Sequence, residues 1–164
     1  MSKRAEELMI GDYFFVAKDN LCIRKGSVVE IRGIDADDKL EGKNLIGSTH
    51  CRPLDKFQFE GGIWLDYLEP IPLTSEILEK NGWVSDNYND RLQVYNLRSG
   101  KWHSTIAISD DGKLSIEVSA EIAKKDKRGR ADLVTFVRDW CDSFCVHELQ
   151  HALKLCGINL NLCI

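Results

Sequence analysis

From Trp83 the pattern of apolar and polar positions changes to a period of two. Leu92, Val94 and their neighbours run into Arg98-Ser99-Gly100-Lys101. Trp102, Ile106 and Ile108 then alternate with His103, Thr105 and Ala107, and beyond Asp110-Asp111-Gly112 the residues Leu114, Ile116 and Val118 alternate with Ser115 and Glu117. Successive strand side chains point to opposite faces, and Asp-Gly between two alternating runs is a strong hairpin signal, so the pattern predicts an antiparallel meander with one covered face. Earlier, Tyr13-Phe14-Phe15-Val16, then Val29, Ile31 and Ile34 around a bulge at Gly33, then Leu40 to Ile46, then Ile63-Trp64-Leu65 near Phe57 and Phe59, read as short strands. Strands at this spacing predict a small antiparallel barrel-like unit.

Helical spacing takes over at two places. Thr74-Ser75-Glu76-Ile77-Leu78-Glu79-Lys80-Asn81-Gly82 carries a capping Thr, an early Glu, a late Lys and a terminal Gly, and predicts a two-turn helix. Within residues 141–157 apolar residues recur at Val146, Leu149, Leu153 and Cys156, with Asp142 or Ser143 as candidate caps and Gly157-Ile158 as the stop. Leu133 to Val137 satisfies either period, and its β-branched content favours a strand. Glu69-Pro70-Ile71-Pro72-Leu73 marks the boundary, because two prolines in three residues favour an extended connector. The expected organisation is residues 1–69 as the barrel-like unit, 70–82 as connector and short helix, and 83–164 as the meander. The fold class is α+β, with a C-terminal amphipathic helix packed on the meander.

That last helix carries His147-Glu148-Leu149-Gln150-His151, a match to the HExxH motif in which two histidines hold zinc and the glutamate activates a water. At roughly 100° per residue the apolar stripe centres near Leu149, and His147 and His151 fall roughly 160° from it. The pair is therefore expected on the solvent side. A zinc hydrolase also needs a third protein ligand, and residues 152–164 contain no His, Asp or Glu. An upstream ligand would have to come from His50, Cys51 or His103. Of these, His103 shares the face of Thr105, opposite Trp102, and is expected to be exposed.

Composition narrows the classes further. With 43% hydrophobic residues the 164-residue chain can form a core as one domain or as two small ones. Its net charge of −4 argues against a dedicated binder of nucleic acid or anionic membrane. The basic run Lys124, Lys125, Lys127, Arg128 and Arg130 is a possible anion contact, but no aromatic residues interleave with it, and a solvated loop is the expected reading. No apolar run has the length of a signal or membrane segment, so a soluble cytoplasmic protein with six reduced cysteines is expected.

The segment Glu69-Pro70-Ile71-Pro72-Leu73-Thr74-Ser75-Glu76-Ile77-Leu78-Glu79-Lys80-Asn81-Gly82-Trp83 resembles a family of small proteins of Bacteroides-like gut bacteria and their phages or mobile elements, and so does Val146 to Gly157. Members of that family read PIPLTEEILxKNGF and YVHxLQ, and the opening Ile10-Gly11-Asp12-Tyr13 is similar too. What the resemblance implies is an amphipathic helix carrying His147 and Gln150. Glu148 and His151, which complete the zinc motif, lie outside the shared pattern. The resemblance implies no activity, cofactor or partner.

Three functions are weighed from this. The favoured one is a non-enzymatic binding or accessory protein of a gut bacterium or its phage, with a protein partner, no cofactor, and no favoured catalytic or metal-binding residue. The alternative is a zinc-dependent hydrolase with His147 and His151 as ligands and Glu148 as base. A weaker alternative is a nucleic-acid-associated protein using the basic run.

Overall fold

The computed structural model describes residues 8–35, 48–55, 60–89, 91–121, 132–141 and 144–164. They form two antiparallel five-stranded sheets and two short helices, and the chain divides into two compact units, Met1–Ile71 and Pro72–Ile164. The expected strand at Leu40 to Ile46, the residues Phe57 and Phe59, the caps Asp142 and Ser143, and the basic run Lys124 to Arg130 lie outside the described residues.

In the first unit, β1 (Tyr13–Val16), β2 (Val28–Asp35), β3 (Ser48–Pro53), β4 (Gly61–Trp64) and β5 (Leu68–Pro70) assemble in the order β4-β3-β2-β1-β5. The register breaks between Ile31 and Gly33, where the sequence predicts a bulge. Phe14, Val16, Val29, Ile31, Cys51 and Ile63 make one buried cluster, supplied by alternation along the strands, and Leu65 joins it from the 3-10 turn after β4. The turn before β1 is held by Gly11, at φ 91, and by Asp12, whose carboxylate accepts the Met9 N–H at 2.7 Å. Among the described residues the two outer strands, β4 and β5, do not pair with each other, so the expected barrel-like unit is an open sheet. Closing a barrel needs a last-to-first ladder. Part of the proline connector is itself strand, since Glu69 and Pro70 pair with Phe15 and Phe14 of β1.

The second unit opens with α1 (Ser75–Lys80). Thr74 caps it, its hydroxyl accepting the Ile77 N–H at 3.4 Å. Gly82, at φ 89, ends it, and Trp83 N–H reaches back to Leu78 O. Five strands follow as a meander in strict sequence order: β6 (Val84–Asn89), β7 (Leu92–Ser99), β8 (Trp102–Ser109), β9 (Leu114–Glu121) and β10 (Leu133–Cys141). The ambiguous stretch around Leu133 is strand, as its β-branched residues favour. Tyr95, Ile106, Ile116 and Val118 are buried, and α2 (Val146–Leu155) lies against β9, where the Cys156 thiol donates to Val118 O at 3.3 Å. Gly157, at φ 72, and the Ile158 N–H bonded to Leu153 O close α2 with the left-handed stop read from Gly157-Ile158. Among the described residues no helix is long and apolar enough to cross a membrane.

Candidate functional site

The HELQH stretch lies at the start of α2, which begins at Val146 with Cys145 as its N-cap. Cysteine is not among the preferred capping residues, so nothing local announces this start. It is built instead by Glu148, three residues on, whose carboxylate accepts the Cys145 N–H at 2.9 Å in a capping-box arrangement. The other oxygen of Glu148 accepts from the Arg138 guanidinium of β10. Burial works against the charge of Arg138, and the Glu148 carboxylate outweighs it, holding the guanidinium above its ordinary pKa. The Arg138 group also stands 5.1 Å from the Phe144 ring centre. The residue that the zinc motif would use as base thus ties a helix start to a sheet strand.

The two histidines are placed differently from the expectation. His147 is buried, at 9% exposure, and only His151 is partly open. Val146, Leu149, Gln150, Ala152 and Leu153 are buried with His147. The helical wheel was centred on apolar positions alone, so the burial of Gln150 and His147 on the flank beyond Val146 did not enter it. The covered arc is wider than a single apolar stripe, and Leu155, Glu148 and His151 mark its open side. The imidazoles of His147 and His151 meet edge to face with centroids 5.8 Å apart.

No third ligand joins them: among the described residues no three His, Cys, Asp or Glu side chains converge as a metal-binding group. His50 and Cys51 belong to β3 of the first unit. His50 sits 3.5 Å from Glu60, and Cys51 is buried with its thiol pushed up to about 11 by desolvation, against a smaller opposing pull from the Thr49 hydroxyl. His103 is exposed, on the opposite side of β8 from Trp102 and Ile106, and 3.9 Å from Glu117.

Two clefts in the second unit bring together residues that the sequence does not associate. The first, of about 390 Å³, opens at the end of α2 beside the β7–β8 turn, with Trp102, Cys156, Ile158 and Leu160 as its apolar lining and Lys101, Glu121, Asn159 and Ser99 as its polar groups. Its surface is divided about evenly between polar and apolar atoms and carries charges of both signs. Thiolate chemistry is disfavoured there, because burial raises the pKa of Cys156. The second, of about 380 Å³, lies over β7 and β8, with Asn96, Arg98, His103 and Thr105, and Thr105 donates to Asn96 Oδ1 at 2.9 Å. Sequence reading missed the first cleft because Lys101 lies in a turn, Glu121 at the end of β9 and Asn159 beyond α2, joined only by strand pairing and the helix stop.

Comparison with protein-family models, with curated proteins and with solved structures finds no match to this chain.

Proposed function

We propose that the chain is a non-enzymatic binding or accessory protein, cytoplasmic, belonging to a gut bacterium or its phage, and that it engages a protein partner through the cleft at the end of α2. In this reading α2 is the amphipathic helix that packs the meander, and no cofactor takes part. One observation carries it: Glu148, the base of the apparent zinc motif, already accepts from the Cys145 N–H and from Arg138. A base that must take a proton from water is poorly served when both of its oxygens are bound to donors. The cleft supplies what recognition needs, with Trp102 as an aromatic wall and Lys101, Glu121 and Asn159 around it.

Elemental analysis of tag-free protein beside a His151→Ala variant tests this directly. The expected result is less than one equivalent of zinc, lost to a mild chelator and insensitive to the substitution. A full equivalent that disappears in His151→Ala would replace this reading with the zinc-dependent hydrolase, in which His147 and His151 are ligands. That alternative is favoured by the adjacency of the two rings. On the binding side, pull-down of a specific neighbour-encoded protein is expected with the wild type and not with Trp102→Ala. The nucleic-acid reading rests on Lys124, Lys125, Lys127, Arg128 and Arg130. It would be supported only by oligonucleotide binding that weakens steeply with salt.

A further inference from the structure

The last strand of the meander is an edge of unusual composition. Among the described residues β10 pairs only with β9, and Leu133 and Val137 are each 55% exposed. The Glu121 N–H bonds to Lys101 O on the β8 side. By strand alternation the odd-numbered residues of β9 direct their peptide groups to β8, and the even-numbered ones direct theirs to β10. The β10 partners of those even residues are Val134, Phe136 and Arg138, opposite Ala120, Val118 and Ile116. Leu133, Thr135 and Val137 therefore direct N–H and C=O away from β9, along the outer edge. Natural sheets blunt such edges with charged residues, proline, bulges or a short strand; here the charges and the register shift begin only at Arg138, so Leu133 to Val137 carries none of these.

We infer that this edge pairs with the same edge of a second copy of the chain, antiparallel and centred on Thr135. A two-fold axis perpendicular to the sheet keeps each face on its own side, so only registers that pair odd with odd and even with even are allowed. Centring on Thr135 sets Thr135 against Thr135, Leu133 against Val137 of the second copy, Val134 against Phe136 of the second copy, and Asp132 against Arg138 of the second copy. Every pairing is of a favourable kind: hydroxyl with hydroxyl, apolar with apolar on both faces, and opposite charges at both ends. The odd residues that direct their peptide groups outward are the ones this register makes hydrogen-bonded pairs. Arg138 has five N–H donors, so its bond to Glu148 leaves capacity for a second carboxylate. The register shift after Arg138 ends the straight edge where the proposed pairing ends.

Moving the centre by one position in either direction removes this match. Centring on Phe136 places Val134 against Arg138 of the second copy, and centring on Val134 places Asp132 against Phe136 of the second copy. The charge and apolar complementarity therefore selects both the partner and the register.

Sedimentation of the full chain over a range of concentrations is expected to show a monomer–dimer equilibrium, and Val137→Lys is expected to weaken it by at least about tenfold. Val137 is exposed, so the variant keeps the near-ultraviolet circular dichroism of the monomer. In a background with Cys22 and Cys163 replaced by serine, Thr135→Cys is expected to form a disulfide-linked dimer under mild oxidation, since hydrogen-bonded partners lie about 5.5 Å apart. Leu133→Cys is expected not to cross-link, because its counterpart is Val137. A wild-type chain that is monomeric at every concentration, or a dimer indifferent to Val137→Lys, would overturn the proposal. Cross-linking through Leu133→Cys in place of Thr135→Cys would overturn the register.

Discussion

The two sheets solve the same burial problem by different means. In the N-terminal unit the strands themselves supply most of the core, Phe14, Val16, Val29, Ile31, Cys51, Ile63 and Leu68, joined by Leu8, Ile23 and Leu65 from outside the strands. Among its described residues this unit contains no α-helix. In the C-terminal unit the strands run in sequence order and provide one apolar face, while Leu149, Ala152 and Leu153 of α2 are buried with it. The first sheet is thus stabilised by alternation within short strands. In the second, buried side chains come from a late helix as well as from strands. Glu148 links that helix to the sheet, accepting from the Cys145 N–H at the helix start and from Arg138 of β10.

The largest test of this contrast is truncation of each core. Phe14→Ala is expected to cost about 3–5 kcal/mol and Leu149→Ala about 2–5 kcal/mol. Hydrogen exchange should then report the loss in the amides of the corresponding unit. If Leu149→Ala left exchange in β8 and β9 unchanged, the helix would not be what stabilises the meander.

A smaller effect separates the cap from the ion pair. Glu148→Ala removes both and is expected to lower stability by about 1–2 kcal/mol. Glu148→Gln keeps an acceptor for the Cys145 N–H and should recover about half of that, because the Arg138 pair is partly exposed and screened. Chemical denaturation of the two variants side by side distinguishes them; equal losses would assign everything to the charge.

In the first unit Cys51 offers an alkaline handle. Its pKa rises to about 11 on folding, so the folded state favours the neutral thiol. The resulting stability is present below the unfolded value of about 9 and is lost as pH rises towards about 11. By about pH 10 the wild type is expected to lose about 1 kcal/mol more than Cys51→Val. Alkylation at neutral pH should divide the thiols in the same sense, with exposed Cys22 and Cys163 labelled early and buried Cys51 and Cys156 only on unfolding.

The smallest effect belongs to the β8–β9 hairpin. The Ser109 hydroxyl, and then Lys113, hold the Asp111 carboxyl near 2. The carboxylate's contribution is complete above its unfolded value and is lost as pH falls through about 4 to about 2. A carbon-13 titration of Asp111 should show this midpoint, and Ser109→Ala should move it upward.

How much of this was legible beforehand follows from the range over which each interaction acts. The meander, the cap at Thr74, the stop at Gly157 and the bulge at Gly33 rest on neighbours a few residues apart, and local pattern carries them. The face on which His147 lies does not, because burial of a polar side chain depends on what else packs around the helix, and the wheel weighs only the apolar positions. The start of α2 was missed for a related reason: Cys145 is an atypical cap, completed by a glutamate that is also claimed by Arg138 on another element.

The amino-acid order alone therefore determined the meander hairpins, the helix capped at Thr74, the stop at Gly157, and that an HExxH match sits on the last helix, but not that Ser48–Pro53 and Leu68–Pro70 are strands. Only tertiary structure decided what surrounds that match, through strand pairing that carries Arg138 to Glu148, and what meets at the cleft lined by Lys101, Trp102, Glu121 and Asn159. Periodicity is written into a chain by covalent geometry, whereas the partners of a charged side chain are set by which distant segments the core draws together.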